Sequence, residues 1–339
     1  MPPKTLHDVG EVGLLTRLNK RLEAYPAPAK SNRWQVGMGD DAAVLKASGP
    51  VVVTTDMMVE NVDFRRRWAS FADVGAKAAA INLSDLAAMG AEPVGLNVAL
   101  AAAPSETVAD MLRLLVACHR AGLQHNAPVT GGDLSQTEGP LMVSVTALGV
   151  ARHGPVLRHR AQVGDTIAVT GSVGSAAAGL LLLENPALVA GVSRRAQRSV
   201  VSRQKRPCAQ VAVAQALAQH KLVRSMADVS DGLYKDVRHL LPQHLGARVD
   251  TDALPLGLGV VEVARVANVD ALNLALCGGE DFELVMAVAP AHLGRARRVC
   301  AQLGVALTAI GTVTAGRGVR YVGHAAQSLR HGHVFNHFC

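Results

Sequence analysis

The chain has very few aromatic side chains, and its cysteines stand alone. Aromatic residues make up 3% of the 339 residues, whereas hydrophobic residues as a whole make up 49%. We therefore expect an aliphatic core of Ala, Val and Leu, and no aromatic platform for stacking the bases of single-stranded nucleic acid. The five cysteines, at positions 118, 208, 277, 300 and 339, form no Cys-x-x-Cys pair. This spacing predicts neither a zinc site nor a disulfide framework and favours a reducing, cytoplasmic location.

The chain also lacks an uninterrupted hydrophobic run. Its most apolar stretch, residues 166–191, is broken by glycines, serines, Glu184 and Pro186, and predicts a strand followed by a buried helix. Residues 1–11 are polar and contain Asp8 and Glu11, which is not the pattern of a signal peptide. We accordingly expect no membrane partner.

The common signatures of nucleotide and hydrolase sites are missing as well. The sequence contains no Gly-x-x-x-x-Gly-Lys-Ser/Thr loop and no Gly-x-Ser-x-Gly elbow. Gly37-x-Gly39-x-x-Ala42 has the glycine spacing of a dinucleotide fingerprint, but a strand is predicted after it where that fingerprint requires a helix. A Walker-type NTPase, a Ser-His-Asp hydrolase and a Rossmann dehydrogenase are therefore disfavoured.

What the chain does have is positive charge and alternating helix and strand patterns. Its net charge is +7, which favours anionic partners, either nucleic acid or phosphorylated metabolites. Its length exceeds what one core usually supports, and both halves mix helix and strand, so we predict a two-domain α/β (α+β) protein. The Gly-, Pro-, His- and Arg-containing stretch 151–164 marks the junction. The predicted domains are residues 1–150 and 151–339.

Local patterns predict where several elements begin and end. Helices are expected over residues 9–25 and 71–89, the second closed by Gly90 as its C-cap. A third helix is expected from an N-cap at Ser105 to about residue 123. Strands are expected over 51–55 and 127–130, so that Asp56 and Asp133 would follow strand ends. The Arg-rich segment 193–206 predicts a helix whose face is solvated.

Aspartates in glycine-rich, apolar surroundings are the main chemical signal. Each of them alone is explained by helix capping or by a solvated helix face. If they converge, their like charges require neutralising cations. Hydroxyl neighbours but no Cys or His pair accompany them, and hard oxygen ligands select Mg²⁺, Mn²⁺ or Ca²⁺, with Mg²⁺ commonly shared with phosphates. The aspartates come from six segments: Asp40, Asp41, Asp56, Asp85, Asp133, Asp228, Asp231 and Asp236.

The order of these motifs along nearly the whole chain resembles the thiamine-monophosphate kinases, which are related to aminoimidazole ribonucleotide synthetase and selenophosphate synthetase. The most specific stretch is Asn82-Leu-Ser-Asp-Leu-Ala-Ala-Met-Gly-Ala91. The others are Gly10-Glu11 before Leu14-Leu15, Gly39-Asp-Asp-Ala-Ala-Val-Leu45, Thr54-Thr-Asp56, Gly131-Gly-Asp133, Arg158 before Gly164-Asp165, Val169-Thr-Gly171, Asp228-Val-Ser-Asp-Gly-Leu233 and Gly278-Gly-Glu-Asp-Phe-Glu-Leu284. The resemblance implies a two-domain aminoimidazole ribonucleotide synthetase-like fold and a homodimer formed through the sheet of the N-terminal domain.

The same resemblance implies roles for individual residues. The magnesium ligands it implies are Asp41, Thr54, Thr55, Asp56, Asp85, Asp133, Asp228 and Asp231, of which Asp41, Asp85, Asp133 and Asp231 are taken as catalytic. The ATP contacts it implies are Gly132, Asp133, Arg158 and Ser230. The substrate contacts are Glu280, Phe335 and Asp63, although the family often has His where this chain has Asp63. Asp40, Asp236 and the His-rich C-terminus receive no role.

The implied reaction transfers the γ-phosphoryl group of ATP to thiamine monophosphate. A phosphate monoester has a second pKa of about 6, so the acceptor is largely ionised at neutral pH and needs no general base. The obstacle is repulsion between two polyanions, which several Mg²⁺ ions and Arg158 would screen. By this resemblance the N-terminal domain binds ATP and magnesium and dimerises, and the C-terminal domain completes the active site.

Three alternatives stay open at this level. One is another ATP-dependent member of the superfamily, such as an aminoimidazole ribonucleotide synthetase-like enzyme. A second is a non-catalytic nucleotide or thiamine-phosphate binding protein, although binding alone rarely needs so many carboxylates. The third is a basic nucleic-acid binder, which the net charge by itself would allow.

Overall fold

The computed structural model describes residues 3–26, 33–36 and 42–323, and these residues form two compact units. The first unit holds the described residues up to Leu86 and from Ala91 to Arg152. The second holds Ala87–Gly90 and the described residues from His153 onward. Asp40, Asp41, Phe335 and the His-rich C-terminus lie outside the described residues.

The first unit is built on a four-stranded sheet with the strand order β3-β6-β4-β5. Strands β4 and β5 are parallel, and the other neighbours in this sheet are antiparallel. A separate two-stranded sheet pairs β1 with β2. In chain order the elements are α1 (Leu6–Leu22), β1 (Trp34–Val36), β2 (Val44–Leu45), β3 (Val51–Val59), α2 (Phe71–Ala88), β4 (Glu92–Ala102), α3 (Val108–Leu123), β5 (Val129–Gln136) and β6 (Met142–Val150).

Helix boundaries follow local chemistry in this unit. Helix α2 ends where the pattern predicts, and Gly90 adopts a left-handed φ of 64° directly after it. The predicted N-cap of α3 at Ser105 is wrong, because Thr107 caps this helix. The Thr107 hydroxyl accepts from the backbone N–H of Asp110 and donates to the Asp110 carboxylate, so this residue pair satisfies a free N–H of the first turn.

The four-stranded sheet has one covered and one open face. Along β3 the exposed residues Val51, Val53, Thr55 and Met57 alternate with better-buried ones, as a strand with one solvated face requires. The central strand β4 buries Leu96, Val98 and Leu100 on the opposite side. One face therefore belongs to the core and the other is open in this chain.

The second unit is built on a six-stranded mixed sheet with the order β12-β9-β11-β7-β10-β8. Its elements are β7 (Thr166–Thr170), α4 (Ser175–Glu184), α5 (Arg194–Lys205), α6 (Val211–Gln219), β8 (Ser225–Asp228), α7 (Leu233–Asp236), β9 (Leu245–Asp250), α8 (Val260–Ala267), α9 (Ala271–Cys277), β10 (Leu284–Val288), α10 (Pro290–Gln302), β11 (Leu307–Ala315) and β12 (Gly318–Val322). Short 3-10 helices connect some of them. Every residue of β8 and β10 is buried, which explains the continuous apolar pattern of β10, whereas β8 begins with a buried serine and ends with a buried aspartate.

The predicted α/β (α+β) class is confirmed by these mixed sheets with their surrounding helices. Among the described residues, none of the helices combines the length and the apolar character needed to span a bilayer.

Candidate active site

The first acidic group lies where strand β3 contacts helix α2. Thr54 and Asp56 lie on the covered face of β3, and Asp85 lies on α2. The Thr54 hydroxyl donates to Asp85 Oδ2 at 2.5 Å. The hydroxyl of Thr54 and the carboxylates of Asp56 and Asp85 therefore lie next to one another, on β3 and α2.

Asn82 fixes the strand against the helix at this group. It lies one turn before Asp85 on α2 and is fully buried. Its side-chain oxygen accepts the backbone N–H of Asp56 at 3.0 Å, and its amide donates to the carbonyl of Ala78 at 2.9 Å. Asn82 and Asp85 thus project from one helix face and set the position of Asp56 relative to Asp85.

The electrostatics of this group favour a bound cation. Burial, together with the neighbouring charge of Asp85, raises the pKa of the Asp56 carboxyl from 3.8 to about 6. Two carboxylates in this position repel each other when both are ionised. A cation placed between them would remove the repulsion and return the pKa of Asp56 toward its ordinary range.

The predicted strand end at Thr55 is wrong, because β3 continues to Val59. Its pairing with β6 runs without a register shift from Val51 to Val59, so the predicted ligands Thr54, Thr55 and Asp56 lie inside the strand. Successive side chains of a strand point to opposite faces. Thr55 therefore lies on the open face, where its hydroxyl donates to the carbonyl of Val145 at 3.1 Å and accepts from Thr146.

Asp133 also lies inside a strand, since β5 extends from Val129 to Gln136 rather than ending at Thr130. Strand pairing places it opposite Ala99 of β4, on the open face and exposed. Two strands, β6 and β4, separate β5 from β3. With neighbouring strands about 4.8 Å apart, Asp133 is roughly 14 Å or more from β3. Within this unit the structure does not bring Asp133 to Asp56 and Asp85.

A cavity of about 670 Å³ opens on this face beside Asp133. Its lining includes Asn97, Thr130, Gly132 and Thr146, together with residues of α1. Gly132 is required here by the sheet itself, because a Cβ atom would meet the carbonyl oxygen of Val98 at 2.0 Å. The glycine pair therefore permits close packing of β5 on β4 and also leaves the backbone accessible from the cavity.

The second acidic group lies at the end of β8 in the second unit. Asp228 is the last residue of this strand and is 2% exposed. Arg158, which is half exposed, places its guanidinium 3.9 Å from Asp228 Oδ1. Ser230 and Asp231 follow in the turn before α7, and the carbonyl of Ser230 accepts the backbone N–H of Glu280 at 2.8 Å.

Asp231, Asp236 and His239 form the tightest cluster of ligand-type side chains in the described part of this unit. One ligand atom from each lies within 4.8 Å of the others. The backbone N–H of Asp231 donates to Asp236 Oδ2 at 3.1 Å, and Lys235 forms an ion pair with Asp231 at 2.5 Å. Asp231 does not cap α7, because Gly232 is the N-cap and no side chain bonds the helix there.

Asp236 has no role in the sequence prediction, yet it is the most perturbed acid of this group. Burial, followed by the charges of Asp228 and Asp231, raises the pKa of its carboxyl to about 8. Burial also lowers the pKa of His239, which favours the neutral imidazole. The sequence offered one signal for Asp236, namely its position one turn into the helix after Asp231.

The predicted substrate residues lie in different units. Asp63, in the first, accepts the backbone N–H of Val59 at 2.7 Å and closes the turn that follows β3. Glu280, in the second, is half-buried and accepts from the Gln204 amide at 2.8 Å. Phe335 lies outside the described residues. The role of each as a substrate contact stays a prediction.

The donor chemistry of the first group fits magnesium. Thr54, Asp56 and Asp85 offer only oxygen atoms, and burial together with the charge of Asp85 raises the pKa of the Asp56 carboxyl. The second group also offers carboxylate oxygens, but the His239 imidazole lies among them. Hard oxygen ligands of this kind are those that Mg²⁺ prefers, whereas zinc would be expected to use Cys or His.

Comparison with known proteins places this chain among related sequences over most of its length. Residues 39–151 match the AIR synthase related protein N-terminal domain, and residues 162–324 match the corresponding C-terminal domain. A thiamine-monophosphate kinase of Rhodopirellula baltica is 34% identical over 320 residues, which cover 91% of this chain and 91% of the relative.

Solved structures agree with the sequence comparison. A thiamine-monophosphate kinase from Stenotrophomonas maltophilia K279a superimposes with a TM-score of 0.80 at 33% identity, covering 94% of this chain and 98% of the other. The complex of AaThiL with AMPPCP and TMP superimposes with a TM-score of 0.72 at 25% identity, covering 95% and 96%. The similarity therefore includes both units, and one of these relatives is complexed with AMPPCP and TMP.

Proposed function

Because this chain belongs to the thiamine-monophosphate kinases, within the AIR synthase related proteins, we propose that it phosphorylates thiamine monophosphate with ATP. The γ-phosphoryl group passes to the phosphate of thiamine monophosphate, giving thiamine diphosphate and ADP. The observation that carries this proposal is the match over 91% of the chain and 91% of a thiamine-monophosphate kinase. The acidic group of Thr54, Asp56 and Asp85 supplies the chemistry that such a reaction requires.

Magnesium is part of this proposal. The residues assigned to hold it are Asp41, Thr54, Thr55, Asp56, Asp85, Asp133, Asp228 and Asp231. When bound, the metal ions neutralise phosphate charge and thereby lower the repulsion between two polyanions. The support from the structure is the oxygen-only donor set of Thr54, Asp56 and Asp85 and the raised pKa of Asp56.

The remaining predicted residues bind and orient the two substrates. We assign Gly132, Asp133, Arg158 and Ser230 to ATP, and Asp63, Glu280 and Phe335 to thiamine monophosphate. The exposed guanidinium of Arg158 can bind phosphate oxygens, because it is only loosely paired with Asp228 at 3.9 Å. The acceptor phosphate is ionised at neutral pH, so the aspartates act as ligands and take no proton from it.

The proposed organisation follows the same family. Residues 1–150 bind ATP and magnesium and dimerise, and residues 151–339 complete the active site. We assign the homodimer interface to the open face of the first sheet, where Val51, Val53 and Met57 are 47%, 61% and 57% exposed. We place the protein in the cytoplasm, where its free cysteines Cys118, Cys208, Cys277 and Cys300 stay reduced.

A single assay tests the activity. The protein is incubated with Mg-ATP and thiamine monophosphate, with aminoimidazole ribonucleotide precursors in a parallel reaction, and the products are separated by chromatography. We expect thiamine diphosphate and ADP in equal amounts, and no aminoimidazole ribonucleotide. Binding of both ligands without product would instead identify a non-catalytic binding protein, and product only from the precursors would identify a synthetase.

The dimer interface is tested separately by sedimentation. Val53→Lys places a charge in the centre of the exposed apolar patch, so we expect the variant to sediment as a monomer where the wild type sediments as a dimer. Leu258→Lys, an exposed hydrophobic residue of the second unit, is the matched control and should not change the mass. A wild-type monomer, or a Val53→Lys dimer, would contradict the assignment.

A further inference from the structure

A cleft in the second unit is lined by positively charged side chains that have no role in the proposed reaction. This basic cleft has a volume of about 350 Å³ and lies between residues 153–160 and the turn of residues 221–224 that follows α6. Its basic side chains are His153, Arg160, Lys221 and Arg224. Within the described part of the chain, no aspartate or glutamate lines it. The charge at its surface is therefore of one sign.

Two of these cations have no protein partner. The side chains of Arg160 and Lys221 are exposed and make no hydrogen bond or ion pair with any residue that the structure describes. Other arginines on the surface do have such partners, as Arg152 has in Glu92. The charges of Arg160 and Lys221 therefore remain available to an anion in the cleft.

Arg224 is held in place by one atom of its guanidinium. Its Nε donates to Asp165 Oδ1 at 3.0 Å, and Asp165 is itself 2% exposed and accepts the backbone N–H of Gln162 at 2.8 Å. The two terminal amino groups of Arg224 have no hydrogen-bond partner among the described residues. A guanidinium fixed in this way presents the paired donors that match two oxygens of a phosphate group.

The backbone at the end of α6 fixes the position of Lys221. Its N–H donates to the carbonyl of Ala218, and the N–H of Leu222 donates to the carbonyl of Leu217, both at 3.0 Å. These two bonds form a Schellman motif with Lys221 in the left-handed position, where its φ is 51°. Glycine or asparagine is the usual residue at that position. The turn therefore anchors a lysine at the edge of the cleft.

The basic cleft is separate from the second acidic group. Residues 223 and 224 lead into β8 from the cleft, whereas Asp228 ends this strand. The strand between them is about 10 Å long. Arg158 does not line the cleft, although it belongs to the adjacent segment. The Ser225 hydroxyl donates to the carbonyl of Leu157 at 3.0 Å and so fixes that segment against the start of β8.

We propose that the basic cleft binds the phosphate or diphosphate group of a small phosphorylated metabolite, at a site separate from that of the kinase reaction. Its volume lies at the lower end of the range for small-molecule sites, so it accommodates a compact anion. A nucleic-acid strand would instead need a row of phosphate contacts along an extended surface. The inference does not depend on the proposed function, because no residue assigned to ATP, magnesium or thiamine monophosphate lines the cleft.

The test measures binding of three anions by calorimetry. Sodium phosphate, sodium pyrophosphate and ADP are titrated separately into the protein, in buffer that contains EDTA and no divalent metal. Without metal ions the acidic groups repel such anions, so the heat reports on the basic cleft. Tighter binding of ADP than of pyrophosphate would identify a nucleoside diphosphate as the ligand, and the reverse order would identify the free diphosphate.

The test variant is Arg160→Gln/Lys221→Asn, and each single variant is measured as well. Asparagine is well tolerated in the left-handed conformation, so the turn after α6 should keep its structure. The matched control is Arg298→Gln/Arg317→Gln, which removes two exposed positive charges elsewhere in the same unit. Kinase activity and the melting temperature are measured for all of them.

We expect the wild type to bind one pyrophosphate, and the test variant to raise the Kd roughly tenfold or more, because charge-assisted hydrogen bonds are lost. The control variant should keep the Kd within about twofold. Pyrophosphate should raise the melting temperature of the wild type and of the control but not of the test variant. Kinase activity should not change in either double variant.

Opposite outcomes overturn the proposal. These are no binding of any of the three anions to the wild type, an unchanged Kd in the test variant, or an equal rise of the Kd in the control, which would show an effect of net charge alone. Failure of the proposed function is distinguishable, because a protein without kinase activity would still bind pyrophosphate in the basic cleft.

Discussion

The two acidic groups are positioned in different ways. In the first unit, Asp56 and Asp85 lie inside a regular strand and a regular helix, and their relative position follows from the packing of β3 on α2 through Asn82. In the second, Asp231 lies in a turn before Gly232, whose φ is 102°. That turn is hydrogen-bonded to the loop of residues 279–282, three of which have positive φ angles of 67°, 59° and 50°. Asp281 and Glu283 anchor this loop. Regular elements position ligands by their periodicity, whereas an irregular turn needs buried side chains to hold it.

The largest expected effect on activity comes from changing a carboxylate of the first acidic group, which lies on β3 and α2. Asp85→Asn keeps an oxygen that accepts from Thr54 but removes the charge that the proposed magnesium site requires. We expect kinase activity at limiting Mg²⁺ to fall roughly 100-fold or more, with little change in melting temperature. Glu23→Gln, an exposed acid of the same unit, should retain full activity. Wild-type activity of Asp85→Asn at limiting Mg²⁺ would exclude Asp85 as a ligand.

In the sheet of the first unit, we expect a large loss of stability from a substitution where β5 pairs with β4. In Gly132→Ala the new Cβ would overlap the carbonyl oxygen of Val98 at 2.0 Å, and two strand backbones would have to move apart. We expect the free energy of unfolding to fall by roughly 2 to 3 kcal/mol, as measured by urea denaturation. Gly139→Ala is the control, since its Cβ would meet only the Thr137 hydroxyl at 3.4 Å. Equal stability of the two variants would contradict this account.

Glu283, a buried anchor beside the second acidic group, predicts that the stability of the protein depends on pH. Burial raises the pKa of the Glu283 carboxyl from 4.5 to about 7, against the opposing effects of Thr170 and Arg203. Between these two pH values the folded state binds more protons than the unfolded state, so this group costs stability as pH rises from about 4.5 through 7.

Glu283→Gln removes that titration. We expect the stability of the variant relative to wild type to increase by roughly 2 kcal/mol between pH 5 and pH 7.5, as measured by urea denaturation of both proteins in the same buffers. A difference that stays constant across this pH range, or that changes in the opposite direction, would show that Glu283 does not titrate there.

The smallest effect on stability is expected at the solvent-exposed edge of the second acidic group. Lys235 and Asp231 form an ion pair whose side chains are 45% and 33% exposed. Water screens such a pair, so Lys235→Met should change the free energy of unfolding by less than about 0.5 kcal/mol. A loss above about 1 kcal/mol in thermal or urea denaturation would mean that this pair, and not the buried anchors, holds the turn.

Sequence reasoning succeeded where a single local pattern was sufficient. The alanine-rich period and Gly90 predicted α2 to within one residue at its C-terminus, and the alternation of helix and strand predicted the α/β class. The predicted end of a strand was wrong where pairing with a neighbouring strand continued beyond it. The polar run of Thr54, Thr55 and Asp56 indicates a strand end, but nine consecutive pairs with β6 keep these residues in β3.

The burial of Gln204 does not follow from the Arg-rich composition of its segment, which predicts a helix with a solvated face. Its neighbours on α5 confirm exposed arginines at 194 and 195, yet Ala196, Val200 and Gln204 are buried at a spacing of four residues. That spacing was the available signal. Gln204 therefore belongs to the buried row of this helix, where its amide donates to Glu280.

The sequence by itself determined which acidic and hydroxyl residues the proposed site can draw on, and in which order they follow one another, because a motif depends only on neighbours along the chain. Tertiary structure alone decided which of them meet. The pleat of β3 sends Thr54 and Asp56 to one face and Thr55 to the other, and the strand order separates Asp133 from both. It also decided that Glu280 is oriented by Gln204, a residue 76 positions away in the chain, because only packing of the folded chain brings such residues together.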